Sequence, residues 1–200
     1  MKLSVVPIVH PSWCFRGNWA HSSIQPSFLR RAKEVSEGRY VPVDTTTVPP
    51  EANLFPTLED LHAFANETSG PLFTDIECAG DHLVCVGLLR PDGAYVCVRF
   101  RRQGGDIYDP DTLPDRAEWL YGVLGDASIE KVFHNGQAFD IPYLEKIGFE
   151  VNGYVGDTML QAHLTYGREL PKRLDFLALL YAGIPNWKTL VKPEDEEKEQ

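Results

Sequence analysis

Asp75-Ile76-Glu77 stands inside a run of apolar, strand-forming residues, Leu72–Glu77. Side chains alternate along a strand, so residues 75 and 77 leave one face while Ile76 enters the other. Two carboxylates on one face of an apolar strand repel each other and resist losing water. A divalent cation between them relieves both costs, and hard oxygen donors suit Mg2+ or Mn2+. Asp-x-Glu recurs at Asp195–Glu197, but there in a charged tail, so spacing alone does not choose. The other reading is that Asp75 and Glu77 line a wet sheet edge. A second group, His134-Asn135-Gly136-Gln137-Ala138-Phe139-Asp140, follows the apolar pair Val132-Phe133 and precedes a helical pattern. Asp140 therefore falls where a strand hands over to a helix, the place where α/β sites gather. It would serve equally as a helix cap. Asn135 and Gly136 carry the same ambiguity between groove residues and plain turn formers.

The elements that must position these groups are legible in the pattern. Thr57 opens a helix, with Asp60 three residues on as a capping box and Leu58, Leu61 and Phe64 as its apolar side. Leu72–Glu77, Leu83–Leu89 and Tyr95–Phe100 are short strands separated by turn-forming stretches, which makes an antiparallel meander. The rhythm then changes to helix (114–124), strand (131–133), helix (139–146), short strand (154–155), helix (157–165) and a last helix (174–182). Strands first in a meander, then alternating with helices, predict an α/β domain with a mixed sheet.

Composition narrows the class of protein. The chain has 200 residues, enough for one domain with a small appendage, and no run approaches the roughly 20 apolar residues of a membrane span. Its formal net charge is −10, and residues 71–193 carry 12 bases against 17 acids. The long-range basic field of a nonspecific DNA coater is absent. Cys14, Cys78, Cys85 and Cys97 show no Cys-x-x-Cys spacing and read as free thiols in a reducing compartment, so the expected location is cytoplasmic. Glu37–Asn53, with its prolines and Thr45–Thr47, reads as a linker, and Lys192–Gln200 as a solvated acidic tail.

Phe73-Thr74-Asp75-Ile76-Glu77, Asn135-x-x-x-Phe139-Asp140, Asp157-Thr158-Met159-Leu160 and Leu174-Asp175-Phe176-Leu177, in this order, resemble the DEDD-type 3′–5′ exonucleases. The closest likeness is to the proofreading domain of family A, phage-like DNA polymerases, and it spans about Leu54 to Lys188. The resemblance implies a ribonuclease H-like fold: a five-stranded mixed sheet, three antiparallel strands first, with helices on both faces. It implies that Asp75, Glu77 and Asp140 hold two divalent metals, Mg2+ or Mn2+, for hydrolysis of a terminal phosphodiester and release of a nucleoside 5′-monophosphate. Asn135 and Phe139 would shape the groove for a single-stranded DNA 3′ end, Phe139 more by packing than by touching a base. Lys172 and Arg173 would reach a phosphate or stand in a solvated loop. Asp157 matches the family's helix-capping aspartate and is not expected to be a ligand. The cluster Arg99, Arg101 and Arg102 reads as a solvated strand end.

The pattern departs from the family at its third motif, Tyr-x-x-x-Asp or His-x-x-x-x-Asp, which supplies a fourth carboxylate and orients the attacking water. Asp195 follows Val191 and Leu190 at those spacings, Asp157 follows Gly153 and Asn152, and Asp175 follows Pro171 and Leu170. Support is thus expected for one metal rather than two, and an activity that is impaired or incomplete in this chain. The alternatives are a non-catalytic nucleic-acid-binding or assembly module, or one part of a split DNA polymerase that needs a downstream segment or chain as partner. Near the N-terminus, Val5–Ser12 with His10-Pro11-Ser12, followed by Arg16-Gly17-Asn18-Trp19, is similar to the closing motif of uracil-DNA glycosylases, and Phe28–Val35 to their terminal helix. The glycosylase's catalytic motifs are missing, so His10 is expected to have no such activity. The joint expectation is a piece of a phage-like glycosylase–polymerase fusion: residues 1–36 the glycosylase-like end, 37–53 the linker, 54–191 the exonuclease-like domain and 192–200 the tail.

Overall fold

The computed structural model describes residues 25–40, 52–102, 106–168 and 170–184, with side chains from residue 29 onward. The His10-Pro11-Ser12 segment, most of the expected linker and the Lys192–Gln200 tail lie outside the described residues. The chain divides into two compact units, Val48–Leu160 and one drawn from Met1–Thr47 and Gln161–Gln200.

The larger unit is built on a mixed sheet of β1 (Ala52–Asn53), β2 (Leu72–Ala79), β3 (His82–Leu89), β4 (Tyr95–Arg99), β5 (Lys131–Phe133) and β6 (Tyr154–Asp157). Its order is β1-β4-β3-β2-β5-β6. Strands β2, β3 and β4 form the antiparallel meander, and β5 and β6 then join β2 in parallel. The expected five strands are all present. A sixth, β1, pairs in parallel with β4 at the edge, using residues read from sequence as the end of a linker.

Each helix of this unit has a local cause. Helix α2 (Leu58–Asn66) starts at Thr57, whose hydroxyl accepts the Asp60 N–H while the Asp60 carboxylate accepts the Thr57 N–H. That reciprocal cap satisfies two of the helix's otherwise orphaned donors. Helix α3 (Leu113–Gly125) opens on Pro114, where a missing N–H costs nothing. One face of the meander, with Leu72, Ile76, Val86, Leu88, Val96 and Val98, joins Leu61 and Phe64 of α2 and Trp119, Leu120, Val123 and Leu124 of α3 in a single core. At about 25 cal/mol per Å2 of apolar surface removed from water, this is the main force holding the sheet to its helices. The opposite face follows from cross-strand register: Asp75 pairs with Gly87 and Gly87 with Cys97, while Glu77 pairs with Cys85 and Cys85 with Arg99. Both carboxylates are exposed on it.

Helix α4 (Asp140–Lys146) follows β5, and α5 (Thr158–Tyr166) follows β6 across the boundary between the units. In the smaller unit, α1 (Gln25–Ser36) and α6 (Leu174–Tyr181) are the described helices besides the end of α5. Leu170 and Leu180 are buried there with Tyr166 and Phe176 against them. Cys78, Cys85 and Cys97 are free thiols, as expected from their spacing. Among the described residues no helix is long and apolar enough to cross a membrane.

Candidate active site

Strand β5 is three residues long, whereas β2 runs on for eight, so the second half of β2 has no strand beside it on that edge. Leu72 donates its N–H to the Glu130 carbonyl on the β5 side. Alternate N–H groups point the same way, which aims the Ile76 N–H at the space where β5 has stopped. Asp140 fills that need: its Oδ1 accepts the Ile76 N–H at 3.2 Å. One hydrogen bond therefore sets the carboxylate of the second motif against the peptide between Asp75 and Glu77, 64 residues earlier in the chain.

The turn that delivers Asp140 needs its own residues. Asn135 has φ +66°, a left-handed conformation that asparagine tolerates better than most side chains. Gly136 has no room for a side chain, since a Cβ there would lie 2.4 Å from Phe133 Cβ. The loop is tied down by Asp157, whose carboxylate accepts the N–H groups of Asn135 (3.0 Å), Gly136 (2.8 Å), Met159 (2.8 Å) and Leu160 (3.2 Å). Sequence assigned Asp157 a helix cap; it also anchors the neighbouring turn, a role that β5–β6 pairing creates and no local pattern shows. His134 Nδ1 and the Thr158 hydroxyl, 2.8 Å apart, add a second tie across the same seam.

Electrostatics separates the two buried aspartates. Asp140 is 3% exposed, and burial first, then the nearby Asp75 charge, pushes its pKa up to about 6. Asp157 is equally buried, and burial opposes its ionisation too, yet the backbone N–H bonds it accepts hold it below the usual carboxylate range. An aspartate with one backbone partner from a distant strand and a repelling carboxylate nearby is in want of positive charge.

The remaining expected site residues fall in two places. Phe139 is exposed and lies against Tyr143, the rings tilted by 30° with centres 6.2 Å apart, beside the Asp140 turn. Lys172 and Arg173 belong to the smaller unit. There the Lys172 ammonium bonds the Leu170 carbonyl and the Arg173 guanidinium pairs with Asp175 at 2.9 Å. These contacts are those of a self-satisfied loop. Among the described residues, no three carboxylate, imidazole or thiol groups gather into one metal cage. The donor chemistry of Asp75 and Asp140 nonetheless suits a hard divalent cation: they are oxygen donors, and burial together with the Asp75 charge raises the pKa of Asp140.

No family model and no curated protein matches the chain. Solved structures do. The polymerase domain of Pol1 from M. smegmatis, complexed with DNA primer-template and dNTP, superposes over 67% of this chain at 19% identity with a TM-score of 0.51. This chain spans about a quarter of that polymerase chain, 23% of its length. An EXD2 exonuclease domain soaked in Mg and dGMP matches over 71% of this chain and 72% of its own, at 22% identity and TM-score 0.39. A structure described as the apo form of the nuclease matches over 67% and 60%, at 21% and 0.47. The first superposition shows a shared fold, and the sheet order is that of the expected mixed sheet with three antiparallel strands first, with β1 as an addition.

Proposed function

We propose that the chain is a metal-dependent 3′–5′ exonuclease domain of the proofreading type, removing nucleoside 5′-monophosphates from DNA 3′ ends. Asp75, Glu77 and Asp140 are its working carboxylates. The observation that carries this is the Asp140–Ile76 hydrogen bond, which brings the two acidic motifs to one strand edge. Asp75 and Asp140, with Glu77 from the same strand face as a further donor, would hold Mg2+ or Mn2+. Such an ion supplies Lewis acidity at phosphate and an acidified water.

The chain's own residues account for the rest. The Ile76 N–H orients Asp140 Oδ1. The Asp157 anchor fixes the turn from which Asp140 projects, and Phe139 walls the groove beside it. With a pKa of about 6, the Asp140 carboxyl sheds its proton only as the pH approaches neutrality, so cation binding and activity should rise across that range. Asn135 contributes its backbone conformation and its N–H to Asp157 rather than a recognised groove contact. We extend the proposal to the chain's organisation: a glycosylase-like end over residues 1–36, a linker to 53 whose last two residues join the sheet as β1, the nuclease-like domain over 54–191 and an acidic tail, with a polymerase segment or chain as partner.

A 5′-labelled single strand should shorten from its 3′ end with Mg2+ or Mn2+, and chelation or Asp75→Ala should stop it. Shortening that ignores metal or survives loss of Asp75 rejects the proposal. One observation favours a second reading, a nucleic-acid-binding module or one part of a split polymerase: the absence, among the described residues, of a gathered three-ligand cage. Metal-free DNA binding without any cleavage would select it.

A further inference from the structure

The carboxylate-bearing face of the sheet continues across β3 to β4, and there it changes sign. Arg99 lies on the same face as Glu77, two strands away with Cys85 between them, so about 10 Å separates their backbones. The Arg99 guanidinium lies over the ring of Phe55, 4.3 Å from its centre. Tyr108 stands beside Phe55, with ring centres 6.5 Å apart. Arg102 and Arg116 approach the same tyrosine, at 5.8 and 5.4 Å from its centre. Three guanidinium groups and two aromatic rings thus form one interleaved patch at the β4 edge.

Phe55 is 60% exposed, yet it is not on a loose loop. Its N–H bonds the Asn53 side chain at 3.1 Å, and Asn53 in turn donates to Asp60, the carboxylate of the α2 capping box. The next residue, Pro56, is fully buried. An aromatic residue whose backbone is held on both sides while its side chain stays turned to water loses little entropy when something stacks on it. Beside Tyr108, Arg116 is 6% exposed, and among the described residues its Nη1 has no hydrogen-bond partner. Its Nε donates to the Thr112 hydroxyl at 3.0 Å, and Asp109, which accepts that hydroxyl at 2.6 Å, pairs with Arg116 at 4.0 Å. The printed contacts of the Arg99 and Arg102 guanidinium groups, among the described residues, are with rings rather than with carboxylates.

The geometry points to a single-stranded nucleic-acid contact surface made by Phe55, Arg99, Arg102 and Tyr108, with a base stacking on Phe55 and phosphates meeting the arginines. A polyanion with flat, π-faced units matches both halves of the patch. This inference rests on the exonuclease reading for its direction. A strand whose 3′ end sits at Asp75 and Asp140 and runs across β3 would meet the patch about 10 Å on.

The test is binding of a fluorescent twelve-nucleotide oligothymidylate, read by anisotropy in chelator so that no strand is cut. Phe55→Ala should weaken binding about 5- to 20-fold, in keeping with one lost base stack. Arg102→Glu should weaken it by a similar factor and flatten the salt dependence by about one ion. Both side chains are exposed, and unchanged unfolding temperatures would show that the fold is intact. Affinity that stays within twofold of the parent in both folded variants overturns the inference. Failure of the exonuclease reading looks different: the parent protein never shortens DNA with metal, while the binding difference persists.

Discussion

Asp157 ends β6 and Asp140 begins α4; both are buried, and the fold treats them in opposite ways. Asp157 is saturated by four backbone N–H groups and stays ionised below the usual range. Asp140 has one such bond from a distant strand, faces Asp75, and is pushed up to about 6. A carboxylate whose lone pairs are all engaged by its own chain is structural. One that is oriented but electrostatically unsatisfied has capacity left for a ligand. A similar contrast holds between the Arg173–Asp175 pair and Arg116, whose Nη1 has no hydrogen-bond partner among the described residues.

The largest effect should come from breaking the saturated side. Asp157→Ala strands four N–H groups and should destabilise the protein by about 3 kcal/mol or more, seen as a lower urea midpoint. Because its folded pKa is lowered, the stability it gives is present above the ordinary carboxylate range and lost as the pH falls through its folded value. Gly136→Ala attacks the same anchor sterically through Phe133 and should cost about 1–3 kcal/mol, with the Asn135–Asp157 contact loosened. Asp140→Asn should do the reverse. It keeps an oxygen for the Ile76 N–H and removes a buried charge, so metal-free protein at pH 7 should gain roughly 1–2 kcal/mol while nuclease activity is lost.

The pH behaviour sharpens the contrast further. The folded pKa of Asp140 lies above its ordinary 3.8, so the folded state holds the proton more tightly. This group's contribution to stability therefore falls as pH rises from about 3.8 to about 6, opposite in sign to Asp157. The smallest expected change is with Asp75→Asn, which removes the repelling charge and should lower the Asp140 pKa by a fraction of a unit, measurable by carbonyl NMR titration. A pKa unmoved by that substitution would mean that burial alone raises it and that the two acidic motifs are not electrostatically paired.

Local pattern located nearly every element. The capping box at Thr57 and Asp60, the three meander strands and the strand–helix alternation after residue 113 all appear as expected, because each follows from side-chain periodicity and turn chemistry. Strand β1 was missed because two residues carry no period, and its pairing partner is 43 positions away at Tyr95. The arginines at 99 and 102 read from sequence as a solvated strand end, because their rings, Phe55 and Tyr108, come from separate segments that only packing unites.

By itself the sequence determined which residues could hold charge, which face of β2 Asp75 and Glu77 share, and where strands give way to helices, since these depend on alternation and neighbours in the chain. Only the tertiary structure decided that β5 stops short and leaves the Ile76 N–H for Asp140, that Asp157 is consumed by its neighbours while Asp140 is not, and that the carboxylate face runs on to an arginine-rich edge. Those outcomes depend on how many donors each buried group meets across strands, and that number is set by pairing register rather than by residue type.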